Sequence, residues 1–326
     1  MDLTAKKVLL INFGEISDLV LTLPIFDILK GYSDISLTLL TLKENEEILL
    51  NHPLLDQLIL FDKNGIVEER QGGKIKVLNS FKSLKKELKK GNYDLGFDLE
   101  GNFRSSLLSL LSRVKKRVGF EDRLYRLFYN YTISRKGEHK LGQYLSLLDT
   151  IGVDKNKKLE YPLPKWERAK GYVQNICNKN EFFNNSPLIA LYPSGKEGGW
   201  SEDDYRQLDK WIEENLQQDA LVFTNGQGIG DALISSKRNK RIHTLVRRMD
   251  LKCQIELLKQ VDILITDDIT AMALANISKT PTIALSNSQS QKVGPYEGNN
   301  LVLKGPDDQV SNIKVETVTD FIGNFC

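Results

Sequence analysis

The sequence predicts an α/β protein made of two doubly wound halves. Strand-length apolar runs alternate with segments of helical spacing from residue 8 onward, the pattern of a parallel sheet covered by helices. The alternation lapses over a proline-containing stretch and then begins again. A length of 326 residues suits two domains, and either half can bury a core of its own.

Taken in order, Val8-Leu9-Leu10-Ile11-Asn12-Phe13 is a continuous apolar run, as expected of a strand buried on both faces. Residues 14–18 read as a turn. Residues 19–30 read as one helix that Gly31 ends, with Ser17 or Asp18 near its N-cap. A strand over 35–41, a short helix over 44–51, a strand over 57–61, a basic helix over 81–90 and a strand over 95–99 follow. Residues 153–158 are polar and lysine-rich, and Tyr161-Pro162-Leu163-Pro164 favours an extended path. The linker is placed there, giving domains 1–164 and 165–326. The second half reads as helix 166–178, strand 188–192, helix 202–216, strand 220–224, helix 230–237 and strand 242–245. Helix 252–260, strand 263–266, helix 271–277 and strand 282–286 come next. Residues 315–325 are apolar at helical spacing, and this last helix is a candidate to pack back on the N-terminal domain.

Composition removes several classes. Lys+Arg total 45 and Asp+Glu 43, and a net charge of +2 argues against general nucleic-acid binding. No apolar run approaches the ~20 residues that span a bilayer. Asn12, Glu15 and Asp18 interrupt the apolar stretch after Lys6-Lys7, so no signal peptide is read. Cys177, Cys253 and Cys326 lie far apart and suggest no disulfide framework, which fits a reducing compartment. His52, His139 and His243 are equally scattered, and no metal site is expected.

In open α/β sheets, ligands sit beyond the carboxyl ends of the strands. After the first strand only Gly14 is present, so the dinucleotide fingerprint GxGxxG is absent. Asp18 sits near a helix start, where the dipole favours its charged form; it reads as a general base on a hydroxyl, or as a simple N-cap. Asp98-Leu99-Glu100-Gly101-Asn102-Phe103-Arg104-Ser105 puts two carboxylates and an arginine at a later strand end. Residues 104–140 carry ten Lys/Arg against three Asp/Glu, densest from Arg113 to Arg126. That excess suits an anionic acceptor or an anionic membrane surface, or else a solvated helix face. In the second half, Gly195-Lys196-Glu197-Gly198-Gly199-Trp200 and Thr224-Asn225-Gly226-Gln227-Gly228-Ile229-Gly230 are glycine-rich loops that suit a pyrophosphate, or tight turns. Asp267 or Asp268 could hold a ribose or cap the following helix.

Together these segments resemble glycosyltransferase family 9, the ADP-heptose:lipopolysaccharide heptosyltransferases, over nearly the whole chain. Ile16-Ser17-Asp18-Leu19-Val20-Leu21-Thr22-Leu23-Pro24 is similar to that family's I-G-D-V-V-L-T-T-P. Tyr93 to Ser105 is similar to its Y-D-x-x-I-D-x-Q-G-x-x-R/K-S, Arg117-Val118-Gly119-Phe120 to a basic-x-G-F segment, and Gly294-Pro295-Tyr296 to a late G-P-Y. The resemblance implies a GT-B fold, two Rossmann-like domains facing across a cleft. The N-terminal domain would bind the acceptor and the C-terminal domain a nucleotide-sugar, ADP-linked by resemblance. It implies inverting transfer of a sugar, heptose in the family, onto a lipopolysaccharide-core or other glycan acceptor. Asp18 would be the base, and no cofactor would be required provided positive groups stabilise the leaving diphosphate. Arg104, Arg123 and Arg126 would meet an anionic glycan or lipid-linked acceptor. Ser194, Lys196, Trp200, Thr224, Asn225, Gly226, Met249, Asp268 and Thr270 would bind the donor, Met249 against adenine. Such an enzyme would be cytoplasmic and peripheral at the inner face of the inner membrane, with the basic 113–126 segment as its contact.

The chain also departs from the pattern. Asn12 stands for a basic residue before the first loop, and Ser17 for the glycine before Asp18. Gly198-Gly199-Trp200 replaces a K-R-W or K-x-W, which leaves Lys196 as the nearest lysine. In the donor signature D-S/T-G-x-x-H-L-A, Thr270 replaces the glycine and Ala273 the histidine. Two alternatives therefore stay open: a catalytically silent GT-B relative that binds or scaffolds in envelope glycan assembly, and a nucleotide-linked oxidoreductase or epimerase.

Overall fold

In the computed structural model the described residues are 6–32, 34–66, 70–152, 159–184, 187–224, 228–237, 240–295 and 300–325. The chain divides into two compact units, Met1–Lys165 and Trp166–Cys326.

The first unit is built on β1 (Lys7–Ile11), β2 (Ser36–Leu42), β3 (Gln57–Phe61), β4 (Arg70–Gly72), β5 (Ile75–Leu78), β6 (Leu95–Asp98), β7 (Lys116–Phe120) and β8 (Tyr131–Ile133). They form one sheet in the order β4-β5-β3-β2-β1-β6-β7-β8, parallel except where β4 runs against β5. The connecting helices are α1 (Ile16–Val20), α2 (Leu23–Tyr32), α3 (Glu46–Leu49), α4 (Phe81–Gly91), α5 (Phe103–Leu111) and α6 (Lys140–Leu147). The apolar run 8–11 is fully buried in β1, as a strand covered on both faces must be. β1 pairs with β2 on one side and β6 on the other, so its carboxyl end is the point where strand order reverses. That is where an open parallel sheet leaves a crevice for ligands.

The second unit repeats the plan. Strands β9 (Ile189–Tyr192), β10 (Leu221–Val222), β11 (Ile263–Thr266), β12 (Thr282–Ser286) and β13 (Asn300–Lys304) form a parallel sheet in the order β10-β9-β11-β12-β13. Helices α7 (Glu167–Lys179), α8 (Glu202–Leu216), α9 (Ile229–Ser236), α10 (Lys240–Arg247), α11 (Leu251–Leu258), α12 (Ile269–Ser278) and α13 (Val315–Phe325) accompany it. Val315, Val318 and Ile322 of α13 are buried in this unit's own core with Leu208 and Ile212 of α8, which is where the last helix packs. Among the described residues no helix is long and apolar enough to cross a membrane.

Three local expectations change. The helix expected over 19–30 is two, α1 and α2. Pro24 has no N–H, and its ring would press on the carbonyl four residues back, so it suits only a first helical turn. The Thr22 hydroxyl donates to the Leu19 carbonyl at 2.6 Å at the break. Residues 242–245 lie in a helix, not a strand: Ile242, His243 and Val246 are buried at helical spacing, a pattern too short to separate from a strand by sequence. The basic stretch after Arg113 is no helix face but β7, a loop and β8 at the sheet's edge.

A buried hydrogen bond helps fasten that edge to the centre. Tyr129, just before β8, donates its hydroxyl to the Asp98 carboxylate at 2.6 Å, and Asp98 ends β6 with no exposed surface. A carboxylate so buried costs stability unless its oxygens are bonded. The Tyr129→Phe variant is expected to keep its fold and lose about 1–3 kcal/mol in urea unfolding; a loss under about 0.5 kcal/mol would show that the bond is incidental.

Candidate active site

The loop after β1 turns back through Asn12. Its side-chain oxygen accepts from the Gly14 N–H at 2.7 Å, and Asn45 donates to the Gly14 carbonyl at 3.0 Å. Asp18 lies inside the first turn of α1, where Glu15 is the N-cap, so it does not cap the helix. Its carboxylate packs against the bare Gly14: a Cβ there would come within 2.4 Å of the Asp18 Cβ and 2.7 Å of Oδ2. Lys140, at the start of α6, forms an ion pair with Asp18 Oδ1 at 2.6 Å. One carboxylate oxygen is thus held and the other lies on the glycine side.

Glu100 completes the cluster. Its Oε1 accepts from the Phe13 N–H at 3.1 Å, and its carbonyl accepts from Arg135 at 2.8 Å. Burial, with the charges of Asp18 and Asp98, pushes the Glu100 carboxyl from 4.5 up to about 7, against the pull of Lys140 and the Phe13 N–H. Asp98 sets the loop by accepting from the Glu100 and Gly101 N–H groups at 3.0 and 3.1 Å, and burial raises its carboxyl too. Arg135 lies over the Phe120 ring at 3.9 Å and bonds Gln143 at 3.1 Å. Burial, then the charges of Asp18 and Glu100, raises the Tyr144 hydroxyl. Three acids and two bases therefore meet where β1 and β6 end. A carboxylate with one oxygen tied to an ammonium and the other unengaged by it is suited to accept a proton from a hydroxyl.

In the second unit the hub is Asp267. One oxygen accepts from the Ser194 N–H at 2.7 Å and the Tyr205 hydroxyl at 2.8 Å; the other accepts from the Ser194 hydroxyl at 2.6 Å and the Trp200 N–H at 3.2 Å. The loop after β9 therefore curls over the end of β11. A side chain at Gly199 would place its Cβ 2.3 Å from that Asp267 oxygen. Asp268 is the N-cap of α12 and accepts from the Ala271 N–H at 2.8 Å. Burial raises its carboxyl, opposed by the Ala271 N–H and the Lys196 ammonium. Lys196 is exposed, and its charge reaches the helix start that also carries Thr270.

The other expected donor residues lie as follows. Ser194 spends its hydroxyl on Asp267, so it shapes the loop. Trp200 is a correction: its ring is buried, its Nε1 donates to the Ile313 carbonyl at 2.7 Å, and it meets Tyr205 edge-on, so it is core and no surface for a ligand. Thr224 is buried and bonds Asp231 at 3.4 Å. Met249 is buried before α11. Asn225, Gly226 and Tyr296 lie outside the described residues. Arg104, Arg123 and Arg126 are exposed on the first unit. Among the described residues no three His, Cys, Asp or Glu side chains are grouped to hold a metal ion.

A family model described as "Glycosyltransferase family 9 (heptosyltransferase)" matches residues 81–319. The chain belongs to that family. It is similar to the lipopolysaccharide core heptosyltransferase OpsX of Haemophilus influenzae, 25% identical over 231 residues, which are 67% of this chain and 64% of that protein. It is also similar to lipooligosaccharide heptosyltransferase 2 of Campylobacter jejuni, 23% identical over 68% of this chain and 66% of that one. The matches thus span about two thirds of these relatives. A family 9 glycosyl transferase from Veillonella parvula shares the fold with a TM-score of 0.79 at 18% identity, covering 99% of this chain and 98% of the other. The architecture is accordingly GT-B, with two Rossmann-like domains.

As a family 9 member the chain carries Glu100 where the family pattern has glutamine. The sequence exposes that residue and Asp18, but not Lys140, the ion-pair partner of Asp18, which is 122 positions from it and hidden among other basic residues. Asp267 was indistinguishable from Asp268 by sequence. Glu100 makes a pH test. In the folded state it holds a proton, up to about pH 7, that the unfolded chain releases near 4.5. The stability tied to that proton is full below pH 4.5 and is lost as pH rises to about 7. Glu100→Gln keeps the acceptor for Phe13 and removes the titration. Its stability relative to the parent should rise by on the order of 3 kcal/mol between pH 4.5 and pH 8.5 in urea unfolding. A difference that stays constant across that range would refute the assignment.

Proposed function

We propose that this chain is an inverting glycosyltransferase. It moves a sugar, heptose by family precedent, from an ADP-linked nucleotide-sugar to a hydroxyl of a lipopolysaccharide-core or related glycan acceptor. The observation that carries the reading is the Asp18–Lys140–Glu100 cluster at the end of β1 in a family 9 chain. The first unit is assigned the acceptor and the second the donor, with the work done at the inner face of the inner membrane, where a lipid-linked acceptor is available.

In this scheme the acceptor hydroxyl lies against the Asp18 oxygen that Lys140 does not hold. As its oxygen bonds to the anomeric carbon, the proton passes to Asp18 and the bond to the diphosphate breaks. Attack opposite the leaving group inverts that carbon. Lys140 orients the base, and Glu100, protonated below about pH 7, keeps a second negative charge away from it. The charge that grows on the diphosphate is met by the N–H groups at the start of α12 and by Lys196, near Asp268 and Thr270. Arg104, exposed in the first turn of α5, is assigned to an anionic group of the acceptor.

The test separates base from donor site. Asp18→Asn should lower kcat by about 10²- to 10⁴-fold while ADP binding by calorimetry stays within about twofold of the parent. Lys196→Ala should weaken ADP binding by about tenfold, the loss of one charged hydrogen bond. Absence of binding by ADP, ADP-heptose and other nucleotide-sugars at millimolar concentration would end the transferase reading.

A further inference from the structure

The edge of the first unit carries an apolar surface that its own fold does not cover. Leu127 is 84% exposed, Leu124 73% and Phe103 53%. Single exposed leucines are ordinary, but these two lie on one loop whose aromatic side chains meet Phe103. The Phe103 ring lies 6.1 Å from that of Tyr125 and 6.4 Å from that of Phe128, which links the start of α5 to the loop between β7 and β8.

The loop is held in shape. The Asp122 carboxylate accepts from the Leu124 N–H at 2.8 Å, and the Asp122 carbonyl from the Arg126 N–H at 3.0 Å. The Arg117 guanidinium donates to the Phe128 carbonyl at 2.7 Å and the Val114 carbonyl at 3.0 Å, so that arginine is spent on the loop's base. Tyr129 is anchored on Asp98 and Ser106. Leu124 and Leu127 are therefore presented to solvent by a fixed backbone, which reduces the ordering cost of burying them against a partner.

The charge around the leucines selects the partner. Arg123 and Arg126 are exposed, each beside a leucine in the sequence, and Arg104 is exposed on the adjoining turn of α5. Glu121 and Asp122 are the acids of the stretch, and Asp122 is engaged within the loop. Apolar side chains flanked by arginines fit a surface with hydrocarbon beneath and phosphate above it.

We propose that the 122–128 loop, with Phe103, docks the protein on an anionic bilayer. Leu124 and Leu127 enter the headgroup–acyl boundary, and Arg123 and Arg126 meet lipid phosphates. This moves those two arginines from the acceptor to the membrane. The proposal rests on the transferase reading in one respect: it sets the Asp98–Arg104 loop, and with it Asp18, beside the surface where a lipid-linked acceptor sits.

The experiment is flotation of the whole chain with phosphatidylcholine vesicles, with and without phosphatidylglycerol. Binding to the anionic vesicles is expected, weakened by salt, with little binding to the neutral ones. Leu124→Ser with Leu127→Ser should lower partitioning by about a hundredfold and leave thermal unfolding and ADP titration unchanged. In Leu127→Trp, added anionic vesicles should shift the emission to the blue. Failure of the parent to bind anionic vesicles, equal binding by the double serine variant, or an unshifted emission would each overturn the proposal. So would a parent dimer that the serine variant dissociates, because the face would then be a contact between copies. Loss of vesicle binding in the serine variant of a chain that binds no nucleotide would retain the docking surface and discard the transferase.

Discussion

Both loop systems hang from a buried aspartate that accepts a tyrosine hydroxyl. In the first unit Tyr129 donates to Asp98 at the end of β6; in the second Tyr205 donates to Asp267 just past β11. Each aspartate then gathers the backbone of a strand-end loop, through Glu100 and Gly101 in one case and Ser194 and Trp200 in the other. Charge-assisted bonds of this kind contribute about 1.5–3 kcal/mol each, but only when the carboxylate oxygens are well supplied with donors. The loops are thus fixed by what the aspartate requires, and their free groups point where the remaining geometry sends them.

That constraint explains how Asp18 and Glu100 come together where β1 and β6 end. The Asp98 bonds to Glu100 and Gly101 set the Glu100 backbone, and the Phe13 N–H then takes its carboxylate to the base of the β1 loop. There it meets Asp18, already engaged by Lys140. Two acids that interact in this way resist joint ionisation, which adds to burial in raising the Glu100 carboxyl. Glutamine at this position, as in the family pattern, would carry no such switch. The glutamate makes the charge beside Asp18 depend on pH near neutrality.

Much of the fold was legible because buried parallel strands are long apolar runs. Residues 57–61, 263–266 and 282–286 are strands at the expected bounds. The strand β8 escaped because it has only three residues, and β7 because it opens with Lys116-Arg117. Pro24 marks the break between α1 and α2, but the unbroken apolar spacing of residues 19–30 hides it. At the site, Asp18 and Glu100 stood in recognisable segments. Lys140 did not, because an ion pair across 122 residues leaves no local pattern. Asp267 was masked by its twin Asp268, and only burial and bonding separate the hub from the cap.

The departures in the glycine-rich loop after β9 are coupled to that hub. With Asp267 drawing Ser194 and Trp200 together, position 199 lies against a carboxylate oxygen and has no room for a side chain. A long basic residue there, as in the K-R-W form of the pattern, would have to displace the aspartate or reopen the loop. Gly198, with open space around it but a left-handed φ of +79°, favours glycine over a lysine in register for a different reason, so the pair suits the tight loop. The same curl presents Lys196, whose backbone N–H bonds the Ser194 hydroxyl at 3.2 Å and whose ammonium acts on Asp268. A cation placed from the other side of the turn serves the same helix start. The missing lysine, the paired glycines and Lys196 are then one rearrangement around Asp267 rather than independent changes.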